Sequence, residues 1–452
     1  MTRNSTVKVV GAGLAGCEAA WQLAGNGFMV ELYEMKPDAM TPAHVSTDFA
    51  ELVCSNSLRS NELTNAAGLL KEEMRRLGSL IIRSADMTRI PAGSALAVDR
   101  ERFASLITQC IRDHPNIEIK NQEVKDIPDG DVIIATGPLT SDKLAGNIAA
   151  LFPGQKILGF FDSAAPIVTF ESIDMSSAYF ASRYDKGDAD YINCPMDKRQ
   201  YKAFYTNLIS APVAPVHGFE DKLVFEGCIP LEVMAKRGED CIRFGPLKPV
   251  GLRDPKTGTE AYAVVQLRKD NTEGTLYNLV GFQTHLKFSE QKRVFTMIPA
   301  LQNAEFVRYG VMHRNTYIDS PKLLDRYNRL IKNTRIRFAG QITGVEGYVE
   351  SASSGLLTGL ETSRELLGLP PLDFPKATAI GALALYTSSG AVSDFQPMNI
   401  NFGIIETLES KIRGKRNKNL AISKRSLDMI DEITKSKIGN QEYSGGSVIF
   451  RP

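Results

Sequence analysis

The stretch VKVVGAGLAG, residues 7–16, decides the fold of this chain. A short β-branched run leads into a GxGxxG motif, and an alanine-rich helix pattern follows it. A second strand pattern, VELY at 30–33, then ends at Glu34. A glycine motif between a strand and a helix, with an acid about 20 residues further on, is typical of dinucleotide-binding βαβ units. The sequence therefore predicts a dinucleotide site at its beginning.

Each glycine of this motif has a separate physical role. Gly11 permits the tight turn, Gly13 lets the backbone approach a pyrophosphate, and Gly16 allows the helix to pack closely on the strand. The helix N-terminus offers unpaired N–H groups and a positive dipole to the phosphates. Glu34 is expected to accept hydrogen bonds from an adenosine ribose. The predicted phosphate-binding turn comprises Gly11, Ala12, Gly13, Leu14, Ala15 and Gly16.

Two later segments favour FAD over NAD as the dinucleotide. The run DVIIATG at 131–137 is a buried-type strand ending in Thr136 and Gly137. The run IRFAGQITG at 336–344 is a strand followed by a glycine turn, and its predicted cofactor residues are Gly340, Gln341 and Gly344. Both runs resemble the two-part FAD-binding domain of flavoprotein oxidoreductases, in which the first strand crosses the cofactor and the late turn meets the flavin.

The order of these segments predicts the fold class and the domain organisation. We expect an α/β protein with a Rossmann-type, two-part FAD-binding domain and an inserted α+β domain, since the middle of the chain carries alternating strand patterns and many turn residues. The expected parts are the first part of the FAD-binding domain at 1–165, the insertion at 166–330, and the second part with a basic tail at 331–452.

The charge of the chain limits how it can bind nucleic acid. Its 452 residues include 53 basic and 52 acidic side chains, for a net charge of +1, which excludes a globally basic coat but not a local basic face. Seven basic residues and no acid occur between 411 and 425. That run is either a solvated helix face or a phosphate contact. The candidate RNA-binding residues within it are Lys415, Arg416 and Lys418.

The composition also bears on compartment and metals. No apolar run approaches the roughly 18 residues of a membrane span, and no signal sequence is apparent, so we expect a cytoplasmic protein. The six cysteines form no CxxC pair and no zinc-ligand spacing, which predicts reduced thiols and no metal site.

Two of the cysteines, Cys54 and Cys228, are flanked by glycine or small polar residues. From these residues alone, each is either a nucleophile with a lowered pKa or an inert buried thiol.

Long motifs throughout the chain resemble one known family. The resemblance covers about residues 5–405, and it is to the folate- and FAD-dependent tRNA (uracil-5-)-methyltransferases of bacteria. Its most distinctive motifs are FAELVCSNSLRSN at 49–61, FEGCIP at 225–230, YNLVGFQTHLK at 277–287, RYGVMHRNTYI at 308–318 and FAGQITGVEGYVESA at 338–352.

The resemblance implies an activity. The methylene carbon of 5,10-methylenetetrahydrofolate is transferred to C5 of the uridine at position 54 in the T loop of tRNA, giving 5-methyluridine. Electrons come from NAD(P)H through FAD. The expected partners are the T arm of tRNA, the folate and NAD(P)H, with no membrane and no protein partner.

The resemblance also implies roles for particular residues. Cys228 matches the position of the thiolate that adds to uracil C6, and Cys54 matches a second essential cysteine near the flavin. The division of nucleophile and acid–base duty between them stays open. For the folate pocket we expect His285, His313, Arg314 and Asn315, with hydrogen-bonded polar residues at strand ends as the alternative interpretation.

Four other functions compete with this one. The same chemistry on a 23S rRNA uridine is the first, because nothing in the sequence reads the RNA. The tRNA wobble-uridine flavoprotein is the second, although it is longer and has an extra helical domain. A non-methylating flavoprotein oxidoreductase of the disulfide-reductase type would need a redox cysteine pair that this chain lacks. A flavin-containing RNA-binding protein without catalysis is the fourth.

Overall fold

The computed structural model describes residues 6–41, 43–152, 158–163, 165–185, 188–214, 229–310, 312–388 and 395–435. In chain order, the strands are β1 (Thr6–Val10), β2 (Met29–Glu34), β3 (Ser57–Ser60), β4 (Arg89–Ile90), β5 (Ala95–Val98), β6 (Ile117–Asn121), β7 (Val132–Ile134), β8 (Leu158–Ser163), β9 (Ile167–Thr169), β10 (Tyr179–Ala181), β11 (Tyr191–Met196), β12 (Ala263–Lys269), β13 (Leu276–Leu279), β14 (Phe306–Arg308), β15 (Met312–Tyr317), β16 (Arg329–Leu330) and β17 (Asn333–Phe338). The helices are α1 (Leu14–Gly25), α2 (Ala66–Arg76), α3 (Leu80–Met87), α4 (Arg100–Arg112), α5 (Asp142–Ala150), α6 (Lys198–Ser210), α7 (Leu231–Lys236), α8 (Glu239–Phe244), α9 (Phe288–Phe295), α10 (Ser320–Leu323), α11 (Tyr348–Leu366), α12 (Ala379–Tyr386) and α13 (Lys415–Ile433).

The first sheet is the parallel sheet that the opening motif predicts. Its strand order is β16-β17-β7-β1-β2-β6, and all its neighbours are parallel except β16 and β17. On the central strand β1, Val9 pairs with Leu32 of β2 and with Ile133 of β7. All three of these side chains are fully buried, as expected of a parallel sheet with helices on both faces. Strand β17 joins this sheet from the late part of the chain.

Helices α1 and α11 cross at unusually short range because glycines face the contact. A Cβ atom added to Gly355 of α11 would lie 2.2 Å from the carbonyl oxygen of Ala15, and one on Gly359 would lie 2.8 Å from that of Ala19. These positions therefore exclude any side chain. The close contact brings the N-terminal ends of both helices to the same edge of the sheet.

A second sheet is antiparallel and lies between the two parts of the first one in the sequence. Its order is β10-β11-β12-β13-β9-β14, and helices α6 to α9 pack around a separate apolar core that includes Ile192, Phe204 and Phe282. Strands β8 and β15 form a two-stranded antiparallel pair, and β3, β5 and β4 form a small third sheet. The predicted class, a Rossmann-type α/β fold with an inserted α+β unit, is confirmed. Among the described helices, none has both the length and the apolar character that crossing a membrane requires.

Candidate active site

A cavity of about 450 Å³ opens at the carboxyl ends of the parallel strands. This is where ligands bind in open α/β sheets. The sequence-predicted residues that line it are Gly11, Ala12, Gly13, Leu14, Ala15, Glu34, Thr136, Gly137, Gly340 and Gln341. The same wall contains Cys54 and, from α11, Tyr348. The structure thus brings the glycine turn and one of the two candidate thiols into a single cavity.

The glycine turn leaves room for a phosphate. Gly11 has a φ of +98°, and a Cβ there would lie 2.7 Å from the carbonyl oxygen of Ala135, so the tight turn needs glycine. A Cβ on Gly13 would meet no atom within 4 Å, so the space between Gly13 and the cavity is open. Gly13 immediately precedes the first residue of α1, where backbone N–H groups have no helical acceptor. An anion fits against this helix end.

Glu34 is positioned to hold a ribose. Its carboxylate is 7% exposed and accepts hydrogen bonds from the backbone nitrogens of Ala12 (2.9 Å) and Lys36 (3.0 Å). A carboxylate has about four acceptor sites, so further hydroxyl groups can still donate to it. The open glycine turn, the helix N-terminus and this fixed carboxylate together fit the phosphates and ribose of a dinucleotide such as FAD.

Two predicted cofactor residues lie outside the cavity wall. A Cβ on Gly16 would lie 1.8 Å from the carbonyl oxygen of Gly11, so this glycine serves the packing of α1 on the turn. Gly344 has a φ of +79°, and a Cβ there would lie 2.4 Å from the ring of Phe395. It ends the short 3₁₀ helix Gln341–Thr343. Both glycines therefore support the residues of the cavity wall by close packing and do not line the cavity themselves.

Cys54 is held by a tyrosine from a distant part of the chain. Its sulfur and its backbone nitrogen each lie 2.8 Å from the phenol oxygen of Tyr348, and the nitrogen of Ser55 lies 3.4 Å from the same oxygen. Burial, and next the neighbouring Cys54, raise the pKa of Tyr348 well above its usual value. The phenol therefore stays protonated at neutral pH. With two N–H groups donating to its oxygen, its own hydrogen is available to the sulfur of Cys54.

Three arginines surround this thiol region. Arg268 is 7% exposed, lines the cavity, and donates to Ser55 Oγ (2.8 Å) and Asn56 Oδ1 (2.9 Å). Burial lowers the pKa of Arg268. Arg100 is also buried and pairs with Asp270 at 3.0 Å. The site thus contains two buried cations, each fixed by its own partners.

The third arginine is held in a strained conformation. Arg59 lines the cavity with a φ of +62°, a region that costs a side-chain-bearing residue about 1–3 kcal/mol. Its guanidinium donates to the buried carboxylate of Glu350, which also accepts from the backbone nitrogen of Ile400 (2.8 Å). Sequence reasoning does not single out Arg59, Arg268 or Tyr348 as site residues. Arg59 and Tyr348 nevertheless lie in distinctive motifs, FAELVCSNSLRSN and FAGQITGVEGYVESA, which offer a signal for these two.

Cys228 lies outside the described residues, but the chain on both sides of that gap is described. The backbone nitrogen of Ala214 donates to the carbonyl oxygen of His285, and that of Leu231 donates to Gln283, both at 2.8 Å. The segment Gln283–His285 therefore contacts both ends of the chain that contains Cys228. Gln283 itself lines the cavity.

The four candidate folate residues fall into two groups. His285 does not line the cavity, and its Nδ1 lies 2.5 Å from the buried carboxylate of Glu232. Burial alone would raise the pKa of Glu232, but hydrogen bonds from His285 outweigh this effect, so the pKa is lowered. His313, Arg314 and Asn315 lie on strand β15, paired with Asp162, Phe161 and Phe160 of β8. That strand runs beside Gly137–Leu139, which lines the cavity.

The basic run lies on the surface, away from the cavity wall. Lys415, Arg416 and Lys418 are all exposed in the first turn of α13. The helix is fastened to the FAD-binding part, since Ser423 Oγ donates to the carbonyl oxygen of Leu63 (2.7 Å) and Asn419 donates to that of Thr64 (2.9 Å). The structure therefore presents these cations on a firmly docked helix.

The remaining cysteines do not reach the cavity wall. Burial raises the pKa of Cys17 well above its usual value, raises that of Cys110 to about 11, and raises that of Cys194 further. These three are protonated thiols at neutral pH. Cys241 is exposed on α8. In the part of the chain that the structure describes, no group of three His, Cys, Asp or Glu side chains is arranged to hold a metal ion.

Comparisons with known proteins agree with this geometry. The family model for glucose inhibited division protein A matches residues 6–370. In solved structures, GidA of Aquifex aeolicus is similar with a TM-score of 0.66 at 15% identity, covering 95% of this chain and 73% of that one. Fold and cavity together define a flavoprotein of the GidA class, with a dinucleotide site at the carboxyl ends of a parallel sheet.

Curated relatives narrow the class further. The methylenetetrahydrofolate–tRNA-(uracil-5-)-methyltransferase TrmFO of Acetivibrio thermocellus is 59% identical, covering 94% of this chain and 98% of the relative. The proteins of the same name from Lactobacillus gasseri and Enterococcus faecalis are 58% and 56% identical, with 97% and 96% of this chain covered and 99% and 100% of the relatives. The chain belongs to the methylenetetrahydrofolate–tRNA-(uracil-5-)-methyltransferase family.

Proposed function

We propose that this protein methylates C5 of a uridine in tRNA, with the carbon supplied by 5,10-methylenetetrahydrofolate. The observation that carries the proposal is that Cys54 and the dinucleotide turn share one cavity. Thiol chemistry and flavin chemistry can therefore act on the same bound base. FAD, when bound and reduced by NAD(P)H, would supply the electron pair that reduces the transferred methylene to a methyl group.

The chemistry requires a thiolate because uracil C5 is a poor nucleophile. When sulfur adds to C6, the S–C6 bond forms and the C5–C6 π electrons move into an enolate, which makes C5 reactive toward the methylene carbon. As the bond from C5 to that carbon forms, the bond from the carbon to the folate nitrogen breaks and tetrahydrofolate leaves. The proton on C5 must then be removed and the S–C6 bond broken before reduction completes the methyl group. Two residues are thus needed, one to attack C6 and one to move the C5 proton.

We assign the attack on C6 to Cys228 and the proton transfer to Cys54. Leu231, three residues after Cys228 in the sequence, belongs to the described part of the chain. The backbone nitrogen of Leu231 donates to Gln283, a residue of the cavity wall, so the chain that follows Cys228 returns to this wall. Cys54 suits proton transfer because its sulfur already shares a hydrogen bond with Tyr348 (2.8 Å).

Tyr348 stabilises whichever protonation state Cys54 adopts. Its phenol can donate to a thiolate or accept from a thiol, and the backbone N–H groups of Cys54 and Ser55 hold the oxygen in position. The buried Arg268 and Arg100 add positive charge to the same region. A developing negative charge on the enolate is favoured next to such preorganised groups.

We assign the folate to the parts of the cavity wall that lie next to the two groups of candidate residues. His285 belongs to the segment that contains Gln283, and its Nδ1 lies 2.5 Å from the carboxylate of Glu232. Strand β15, with His313, Arg314 and Asn315, follows the cavity wall at Gly137–Leu139. An imidazole face beside the flavin would suit a stacked pterin ring.

The finer features of the reaction belong to the same proposal. The target is the T-loop uridine at position 54, and its base must leave the stack to react in a cavity of the protein. NAD(P)H reduces the flavin between turnovers, and the protein works in the cytoplasm. The exposed cations of α13 contact the phosphates of the T arm.

The direct test is nucleotide mapping of 5-methyluridine in unmodified tRNA and in 23S rRNA after incubation with the enzyme, 5,10-methylenetetrahydrofolate and NAD(P)H. We expect the modification at the T-loop uridine of tRNA and none in rRNA. Cys228→Ala should abolish the product while keeping bound FAD. Modification of rRNA alone would assign the protein to the rRNA-directed alternative.

A further inference from the structure

Phe288 is the exposed end of a continuous series of aromatic rings. Its ring stacks on Tyr309, with centroids 5.1 Å apart and planes at 18°, and Tyr309 stacks on Phe306 at 5.3 Å and 12°. Phe306 contacts the fully buried Phe295, which contacts Phe282 in the core of the second sheet. Three near-parallel rings thus run from the core to the surface, and we call these three rings the aromatic stack.

The outer ring of the aromatic stack has one face available. Phe288 is 55% exposed although it is a large apolar side chain at the beginning of α9. Tyr309 covers one side of its ring, and no further ring among the described residues covers the other. Leaving so much aromatic surface in water is unfavourable unless a planar partner covers it.

A buried glutamine makes this arrangement rigid. Gln291 is fully buried and donates to the carbonyl oxygens of Leu286 (2.7 Å) and Gly310 (2.8 Å), while its own oxygen accepts from the nitrogen of Gly310 (2.8 Å). These bonds tie the residues beside Phe288 to the residues beside Tyr309. The stack is therefore preorganised, which reduces the entropy lost when a ligand binds.

The charges around Phe288 select the class of partner. Lys287 and Lys292 are exposed, and neither pairs with an acidic residue in the described part of the chain. The nearby acid Glu290 is paired with Arg293 at 2.7 Å. A flat apolar ring with exposed cations one and four residues away in the sequence matches an unpaired nucleobase with its flanking phosphates.

We propose that the aromatic stack receives an unstacked base of the RNA substrate on the exposed face of Phe288, while Lys287 and Lys292 contact the adjacent phosphates. This inference rests on the proposed function, because it takes the substrate to be an RNA. Phe288 follows Gln283 of the cavity wall by five residues, so its Cα lies within about 18 Å of that residue's Cα. The base it receives therefore belongs to a nucleotide near the flipped uridine.

The test compares tRNA binding by Phe288→Ala, Phe288→Trp and the wild type at several salt concentrations. Loss of one stacked base should weaken the Kd roughly 5- to 150-fold without changing its salt dependence, since stacking releases no counterions. Phe288→Trp should bind as the wild type does. The double variant Lys287→Gln/Lys292→Gln should instead flatten the salt dependence. Thermal unfolding verifies that each variant is folded.

The matched control is Phe244→Ala, because Phe244 is another exposed phenylalanine (65%) of the second-sheet region, and no ring among the described residues stacks on it. Its affinity for tRNA should not change. A folded Phe288→Ala variant with a wild-type Kd would overturn the inference, and so would a light-scattering result in which this variant alone splits a dimer into monomers. Absence of 5-methyluridine from wild-type reactions would refute the proposed function, whereas the Kd comparison judges the aromatic stack.

Discussion

The phenol oxygen of Tyr348 lies 2.8 Å from both the sulfur and the backbone nitrogen of Cys54, although the two residues are 294 positions apart in the chain. Tyr348 is the first residue of α11, and Cys54 lies between β2 and β3. The contact therefore joins the two parts of the FAD-binding domain at the point where thiol chemistry is proposed. A change in the position of α11 at the flavin site would therefore change the hydrogen bonding of the Cys54 thiol.

Tyr348→Phe should separate thiol chemistry from cofactor binding. The variant lacks the hydroxyl that Cys54 uses, and a hydrogen bond to a charged group contributes about 1.5–3 kcal/mol. We expect kcat for methylation to fall roughly 10- to 100-fold and alkylation of Cys54 at neutral pH to slow, while FAD stays bound. Steady-state kinetics and mass-spectrometric mapping of the alkylated cysteine measure both. Tyr327→Phe, which removes a surface hydroxyl bonded to Asp373, is the control. Unchanged kcat in Tyr348→Phe would remove the tyrosine from the mechanism.

Gly13→Val should prevent FAD binding without unfolding the protein. Gly13 lines the cavity and a Cβ there meets no protein atom within 4 Å, so the added side chain should occupy space in which the phosphates are proposed to bind. We expect a colourless protein with a near-normal unfolding temperature. In Gly25→Ala, at the other end of the same helix, the added Cβ also has open space. That variant should keep FAD and gain about 0.5–1 kcal/mol of stability. Yellow Gly13→Val protein would contradict the assigned phosphate position.

The opening motif could be predicted from sequence because its determinants are local. The turn, the helix start and Glu34 all lie within about 30 residues, and the conformation of each follows from its own residue type. The same holds for the strand Val132–Ile134 and for Gly340, whose signals are buried runs ending in glycine. Such features need no knowledge of the remaining chain.

The thiol environment could not be predicted in this way, because its partners come from distant segments. Tyr348 reaches Cys54 from α11, while Arg268 of β12 and Arg100 of α4 bond to residues beside it, and no spacing rule joins those positions. For Gly16 and Gly344 the motif could be recognised but the role of the residue could not. Their motifs are clear in the sequence, yet only the structure distinguishes a glycine that lines the cavity from one that supports it by packing.

Glu73 predicts a pH-dependent stability. Its fully buried carboxylate accepts from the nitrogens of Ala379 (2.7 Å) and Ile380 (2.9 Å) at the start of α12, and from Ser426 of α13. Burial raises its pKa from 4.5 to about 7, despite these hydrogen bonds. The folded state therefore holds a proton that the unfolded state releases above pH 4.5. The stabilisation is fully present below that pH and is lost as the pH rises through about 7.

Glu73→Gln should remove this contribution. Between pH 4.5 and pH 8 the wild type should lose up to about 3 kcal/mol of unfolding free energy that the variant does not lose. Urea denaturation at several pH values measures the difference. Glu72→Gln alters a neighbouring, partly exposed carboxylate that forms surface ion pairs with Arg75 and Arg76, and it should change stability by a small amount. Parallel pH profiles for Glu73→Gln and the wild type would exclude Glu73 as the source.

The basic turn of α13 predicts a salt-dependent RNA contact. Replacing Lys415, Arg416 and Lys418 by glutamine should weaken tRNA binding and reduce the slope of log Kd against log salt by roughly 2–3 units, if each cation neutralises one phosphate. Filter binding from low to physiological salt measures the slope. The control removes the same charge from α6 through Lys198, Arg199 and Lys202, which are also exposed. Equal effects in both variants would assign the result to overall charge.

The central claim is that a folate carbon reaches uracil C5 in the cavity shared by Cys54 and the dinucleotide turn. The most direct measurement follows an isotope label from the methylene group of 5,10-methylenetetrahydrofolate into tRNA, with NAD(P)H present and S-adenosylmethionine in a parallel reaction. We predict label in 5-methyluridine at the T-loop position from the folate and none from S-adenosylmethionine. Label from S-adenosylmethionine alone would contradict the account.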